Sequence, residues 1–267
     1  MNGNLRARRL RNALAFSLTG VCALLTLGAL FFILGYVAVH GISALDWNFF
    51  TKLPKPVGET GGGMANAIVG TIKLVGLAAV LGLPVGISAG VYLGEFGNGP
   101  LGFFVRYAAD VINGVPSIVV GIFAYTLVVL PMKHFSTLAG GVALAIMLIP
   151  IAVRSTEEFL RLVPSSVREA ALALGVPEWK VVTHVVIPTA FRGLLTGALL
   201  NLSRVSGETA PLLFTAFGNR YWSGGWSNPI ASLPVMVFTY AVSPYDDWHR
   251  QAWAGACLRV GEMDPLA

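Results

Sequence analysis

Charge is scarce in this chain: only 12% of its 267 residues are Asp, Glu, Lys or Arg, where soluble domains carry about a quarter. That shortage excludes an ordinary water-soluble fold, which has no means of covering so much apolar surface. Cysteine is scarcer still. Cys22 sits inside an apolar run and Cys257 near the C-terminus, so neither a disulfide framework nor a cysteine-based metal site can be built. The histidines, His40, His134, His184 and His249, are scattered without ligand spacing, and no metal is expected. There is no G-x-x-x-x-G-K-[ST] loop to cradle nucleotide phosphates and no G-x-S-x-G nucleophile elbow. The formal charge of +5 is not read as a nucleic-acid signature, because the basic residues stand beside apolar runs, as topology determinants do.

What is abundant is apolar sequence: 55% of residues are hydrophobic and the mean hydropathy is +0.71. A span needs about 20 predominantly apolar residues. Five runs meet this, near 14–39, 65–93, 108–130, 137–153 and 189–217. A sixth begins near Asp247 but turns at Cys257 into a short charged tail closed by Pro265. The expected fold is all-α: a polytopic transmembrane helix bundle with five full spans plus a truncated sixth. It divides into a basic N-terminus (1–13), a first span (14–39), an external loop (40–64), a four-span core (65–217), an external aromatic loop (218–248) and the truncated sixth span with its atypical tail (249–267).

Arg6, Arg8, Arg9 and Arg11 precede the first run, which is long enough to span and lacks a convincing cleavage site, so it reads as retained rather than as a signal peptide. With the N-terminus inside, the inner segments also hold Arg106, Arg154, Arg161, Arg168, Lys180 and Arg192. The outer ones hold Lys52, Lys55, Lys133 and Arg220. This asymmetry puts the N-terminus and the segment 164–188 in the cytoplasm and membrane lipid around the spans.

The segment 164–188, PSSVREAALALGVPEWKVVTHVVIP, is neither apolar enough to span nor loose enough for a linker. Ser166 with Glu169 has capping-box spacing. Gly175 stands where a left-handed helix end is wanted, Pro177 can open a second helix, and Pro188 is where that helix should stop or bend. Such a helix–Gly–helix wedge suits either a surface cap on the bundle or an element that presses on a partner.

The fifth run holds SRVSGETAPLLFTA, residues 203–216. Arg204 and Glu208 are four apart, which on a helix puts them on one face. An ionisable group at this depth costs at least about 2.5 kcal/mol, so it is normally paired or faces a cavity. Ser203, Ser206 and Thr209 add hydroxyls, Gly207 leaves room, and Pro211 loosens the helix. Two readings stand: a buried pair that fixes packing, or an anion pathway in which the arginine fork meets a phosphate or carboxylate. Asp110 and Asn113, one turn apart at the start of the third run, suit either a cytoplasmic gate or ordinary helix-end solvation. The outer aromatics, among them Tyr221, Trp222 and Trp226, suit either an interfacial belt or a partner surface.

Glu169-Ala170-Ala171, Gly175 and Val185-Val186-Ile187-Pro188 resemble the EAA loop of ABC importer permeases, with the spacing kept and Val185 and Ile187 as apolar substitutes. Gly114-Val115-Pro116-Ser117-Ile118-Val119 and the GETAPLLFTA string of residues 207–216 are similar to PstA-type phosphate permeases. So are Ser232-Leu233-Pro234-Val235 and Ser243-Pro244. The resemblance covers about residues 41–256.

It implies a type I ABC importer permease core at 65–217 and a multi-pass protein of the bacterial inner membrane. It implies a heterodimeric pore with a PstC-type subunit, two ATPase subunits that bind ATP and Mg in this chain's stead, and an extracytoplasmic phosphate-binding protein. Arg204 and Glu208 take the family's substrate-path positions, and Glu169, Ala170, Ala171, Gly175 and Pro188 its ATPase-coupling positions. Rival expectations are a permease for molybdate, sulfate or phosphonate, a proton-coupled secondary transporter using Glu208 as carrier, and a non-transporting scaffold. Family members continue into a full sixth span where this chain departs near Cys257, for which a frameshift or truncation is the simplest explanation.

Overall fold

The computed structural model describes residues 2–59 and 61–262, and side chains from residue 8 to residue 261. The side chain of Arg6 and the tail residues Asp264 and Pro265 lie outside the described part. Among the described residues the fold is all-α, with one isolated bridge, Phe217 to Ile230. The first span is α1 (Asn2–Ile42), followed by the short α2 (Trp47–Thr51) and the long α3 (Ala65–Phe96). Next come α4 (Pro100–Gly114), α5 (Ser117–Ala124), a π-turn (Tyr125–Val129) and α6 (Leu130–Met132). α7 (Thr137–Arg161) leads to α8 (Ser165–Ala173), α9 (Glu178–Val181), a second π-turn (Val182–Val186) and α10 (Ile187–Ser206). The chain ends in α11 (Ala210–Thr215), α12 (Leu233–Ala241) and α13 (Asp246–Glu262).

The bundle is built around α3 and α7, which run parallel and in register. Leu74 meets Gly140, Gly82 meets Leu148, Gly86 meets Ala152 and Gly90 meets Thr156. Small residues every fourth position let the backbones close up, which matters in lipid because no hydrophobic force draws helices together there. A Cβ on Gly86 would stand 2.5 Å from that of Ala152, so any larger residue pushes the pair apart. Of the most apolar stretch of α7, 61% is buried within the chain, against none of that of α1. α7 is therefore the mast of the bundle. α1 leans on α13 through Tyr36 and His40, which pack on Trp253.

Among the described residues, four helices are long and apolar enough to cross a membrane, and α4 with α5–α6 makes a fifth crossing if the bent pair counts as one span. That pair is bent by 102°, so the run 108–130 is not one straight helix. The cause is Pro116, which holds Val115 in extended backbone (φ −73°, ψ 131°) because the residue before proline is driven out of the helical region. The run 189–217 is broken too. α10 ends at Ser206, and α11 opens with Pro211 in its first turn. In a continuous helix the ring of Pro211 would crowd the Gly207 carbonyl.

Pro188 was expected to stop or bend its helix. It does neither. The second π-turn lies just before it, with the Ile187 N–H donating to the Val182 carbonyl, and 178–206 runs on as one span. The first π-turn stands in the same relation to Pro131, with the Leu130 N–H donating to the Tyr125 carbonyl. A wider turn two residues ahead of a proline absorbs the hydrogen bond the proline cannot make.

α12 lies in the outer aromatic segment, but its Leu233, Val235, Met236 and Tyr240 are buried, in part against Phe49, Met64 and Trp248. α13 carries Asp246, Asp247, Arg250, Arg259 and Glu262 and is not among the helices fit to span.

Candidate functional site

The two helix breaks face one another. Between them lies a cavity of about 220 Å³, lined by Asn113, Val115 and Ser117 from the first break, Met147 and Ile151 from α7, and Arg204 and Glu208 from the second. Pro211 of α11 seats against Gly121 of α5, which holds the two breaks together. Broken spans are the one arrangement that brings backbone polar groups to membrane depth beside a cavity.

Arg204 lies in the last turn of α10, where the helix dipole favours a cation. Glu208 follows the break, its N–H on the Val205 carbonyl. The two are therefore not an i, i+4 pair on one helix face. Among the described residues no ion pair joins them, and Arg204 is exposed toward the cavity. Of the expected hydroxyls, Ser206 donates to the Ser203 carbonyl at 2.7 Å, and neither it nor Ser203 nor Thr209 lines the cavity. The expected Asp110–Asn113 pair is divided: Asn113 faces the cavity with Arg204, while Asp110 accepts both arms of Arg154 at 2.6 and 2.7 Å. Their spacing along α4 turns them to different neighbours.

Arg154 belongs to an ionic cluster at the C-terminal end of α7. Its centre is Glu157, whose side chain is 2% exposed and accepts Arg106 at 2.6 Å, Arg161 at 2.6 Å and Arg154 at 3.0 Å. Arg106 also donates to the Gly97 and Leu93 carbonyls at the end of α3. The cluster thus ties α3, α4 and α7. The sequence reading took these arginines as topology charges only. The signal was available, since Arg154 and Arg161 stand three before and four after Glu157 on one helix face.

In the wedge, α8 begins at Ser165 after Pro164, and no side chain caps it. The expected capping box of Ser166 and Glu169 is not formed, because Pro164 occupies the capping position and Ser166 is already within the first turn. Gly175 behaves as expected, with φ +75°. Its N–H donates to the Leu172 carbonyl and that of Val176 to Ala171, the two bonds of a Schellman end. Glu169, Ala170 and Gly175 are exposed and Ala171 is buried. Ala171 packs with Leu160, Val163, Val181 and Val186, and Val185 and Ile187 lie against the same cluster.

Arg168 anchors the wedge. It donates to the Glu95 carboxylate at 2.7 and 3.0 Å and to the Leu160 and Val163 carbonyls at 2.8 and 2.6 Å. The Glu95 carboxylate holds its guanidinium above the ordinary arginine value. Nothing in the sequence reading paired these two; a lone Glu95 at the end of an apolar run was the available sign.

Residues 82–243 match the profile of the family described as binding-protein-dependent transport system inner membrane component. The chain is 48% identical over 255 residues to the phosphate transport system permease protein PstA of Xylella fastidiosa (strain Temecula1 / ATCC 700964), covering 95% of this chain and 88% of that protein. It is 45% identical over 252 residues to the PstA of Yersinia pestis, covering 94% of this chain and 85% of the relative. Among solved structures it is similar to the MetNI methionine ABC transporter in its inward-facing form, with a TM-score of 0.57 at 20% identity over 75% of this chain and 88% of that one, a likeness of fold.

Proposed function

The chain belongs to the binding-protein-dependent transport system inner membrane component family, as a PstA-type permease subunit, and from that premise we propose how it moves its substrate. It is a multi-pass inner-membrane permease of an ABC importer for inorganic phosphate. It forms half of the translocation pore; a PstC-type subunit supplies the other half. An extracytoplasmic phosphate-binding protein delivers the substrate. Two ATPase subunits hold ATP and Mg, and they dock on Glu169, Ala170 and the Gly175 turn from the cytoplasm, the side on which the N-terminus also lies.

The observation that carries this reading is Arg204, a guanidinium in a cavity between two helix breaks that forms no ion pair among the described residues. Its planar fork matches the oxygen spacing of phosphate, and the N-terminal end of α5, whose Ser117 lines the cavity, favours an anion at the same place. Glu208, across the cavity, repels the anion and keeps its stay short, as conduction requires. From Glu178 to Ser206 the chain is one unbroken span. A push on the wedge is therefore delivered along α10 to Arg204. Transport requires only that the wedge bind the two ATPase states with different affinity.

The test is uptake of labelled phosphate into vesicles holding the full complex, with and without ATP. ATP-driven phosphate uptake is expected. Uptake of molybdate, sulfate or phosphonate in its place would move the substrate assignment. Uptake without ATPase subunits, driven by a pH gradient, would replace the mechanism with proton coupling at Glu208.

A further inference from the structure

We propose that Arg168 is the positioning residue that locks the coupling helix α8 to the end of α3, so that a push received at Glu169 and Ala170 moves the α3–α7 pair instead of swinging α8 alone. This rests on the reading above that a partner docks on that exposed face.

One guanidinium reaches three elements. Two of its arms hold the Glu95 carboxylate at the last turn of α3, and the same side chain takes the carbonyls of Leu160 and Val163 at the end of α7. The Leu160 carbonyl, in the last turn of α7, also accepts the Val163 N–H at 3.2 Å, and Val163 lies just beyond that helix, so Arg168 adds a charged donor to both carbonyls where α7 gives way to α8. The contact is sheltered, with side-chain exposures of 22% for Arg168 and 8% for Glu95. A charged, bidentate bond of this kind is directional as well as strong.

The remaining attachment of α8 is apolar: Ala171, Val167 and Val176 against the cluster around Leu160 and Val163. Such packing resists separation but not sliding; the fork resists both. Beyond the fork, α3 and α7 are joined in register along their length, and Met147 and Ile151 of α7 line the Arg204 cavity. The wedge thus has a second route to the cavity besides α10. Lysine cannot replace the fork, since one ammonium cannot serve a carboxylate and two carbonyls in this geometry.

The experiment has two arms. In the first, the full chain sits in nanodiscs with Cys22 and Cys257 changed to serine and spin labels at L174C and G99C. Leu174 is 83% exposed at the end of α8, and Gly99 lies beyond α3 with open space at its Cβ. A narrow distance distribution is expected, broadened by Arg168→Gln and equally by Glu95→Gln, with the double variant no broader than either. An unchanged width, or broadening that adds in the double variant, overturns the proposal.

In the second arm, ATP hydrolysed per phosphate taken up is measured in the assembled complex. The ratio is expected to rise about tenfold in Arg168→Gln and less in Arg168→Lys. An unchanged ratio in an assembled complex refutes the coupling role. Loss of assembly in both Arg168→Gln and Glu95→Gln also refutes it, leaving a structural contact only. If the unmodified complex itself takes up no phosphate, the transport reading fails while the label distances still decide the strut.

Discussion

Two sets of arginines in this molecule teach opposite lessons. Arg106, Arg154 and Arg168 reach carboxylates at 2.6 to 3.0 Å and lie at the end of the bundle that carries the wedge. Arg204 pairs with no carboxylate among the described residues, although Glu208 is four residues away and faces the same cavity. The first set is bound up with the ends of α3, α4 and α7, and its energy is spent on holding helices together. The second is held in reserve by a helix break that keeps its natural partner from closing on it. Charge near a membrane is costly in both places; pairing marks structure, and in the function proposed above the withheld pair lines the path.

The largest effect expected is at the unpaired arginine. Arg204→Gln is expected to lower phosphate uptake by about 100-fold, the worth of one to two charge-assisted hydrogen bonds, with assembly and thermal stability unchanged. Uptake near the parent rate would remove Arg204 from the path. Glu157→Gln is expected to act the other way round, through stability. It takes the shared carboxylate, itself 2% exposed, from three guanidiniums that are 22%, 34% and 58% exposed; Arg106 keeps two carbonyls and Arg154 keeps Asp110, so the loss is expected to be about 1–3 kcal/mol. Thermal unfolding of the purified chain in nanodiscs reads this directly, and a change in melting temperature no larger than that of Arg204→Gln would erase the contrast between the two sets.

Much of this contrast was written in composition and spacing, and some of it was not. The spans and the Gly175 turn follow from apolar run length and from one glycine at a left-handed helix end. The two breaks were half legible. Pro116 and Pro211 were visible, but proline also occurs within continuous helices of this chain, at Pro84 in α3 and Pro150 in α7. Whether a proline breaks a span depends on whether its neighbours supply the lost contacts, which is a tertiary fact. For the same reason Pro188 passed unnoticed through a π-turn, and the Arg204–Glu208 spacing misled: four residues mean one face only where the helix continues. The Arg168–Glu95 fork joins residues 73 apart in sequence, a separation across which no local pattern reaches.

An intermediate effect is expected at the turn of the wedge. Gly175→Val places a β-branched residue at φ +75°, a conformation that costs a non-glycine residue about 1–2 kcal/mol. The Schellman end should loosen, the exposed face of α8 should blur, and co-purification of the ATPase with the chain should fall several-fold while the chain itself still inserts. Gly175→Asn, which tolerates the left-handed region better, should recover part of the loss. Equal recovery of ATPase from parent and Gly175→Val preparations would mean the docking face does not depend on that turn.

The smallest effect expected is at Asp110, and it decides a question the sequence left open. As one half of a gate with Asn113, Asp110 would control leak, and its loss would let phosphate pass without ATP. In the structure it is instead the outlying member of the paired set, 52% exposed and bound to an Arg154 that is 34% exposed. A pair so open to solvent contributes at most about 1 kcal/mol, and Arg154 keeps Glu157 when it is gone. Asp110→Asn should therefore leave ATP-driven uptake within about twofold of the parent and leave uptake without ATP at background, whereas Asn113→Ala, at the wall of the Arg204 cavity, should alter uptake more. Phosphate leak through Asp110→Asn in the absence of ATP would return Asp110 to the path and show that a paired charge can gate as well as hold.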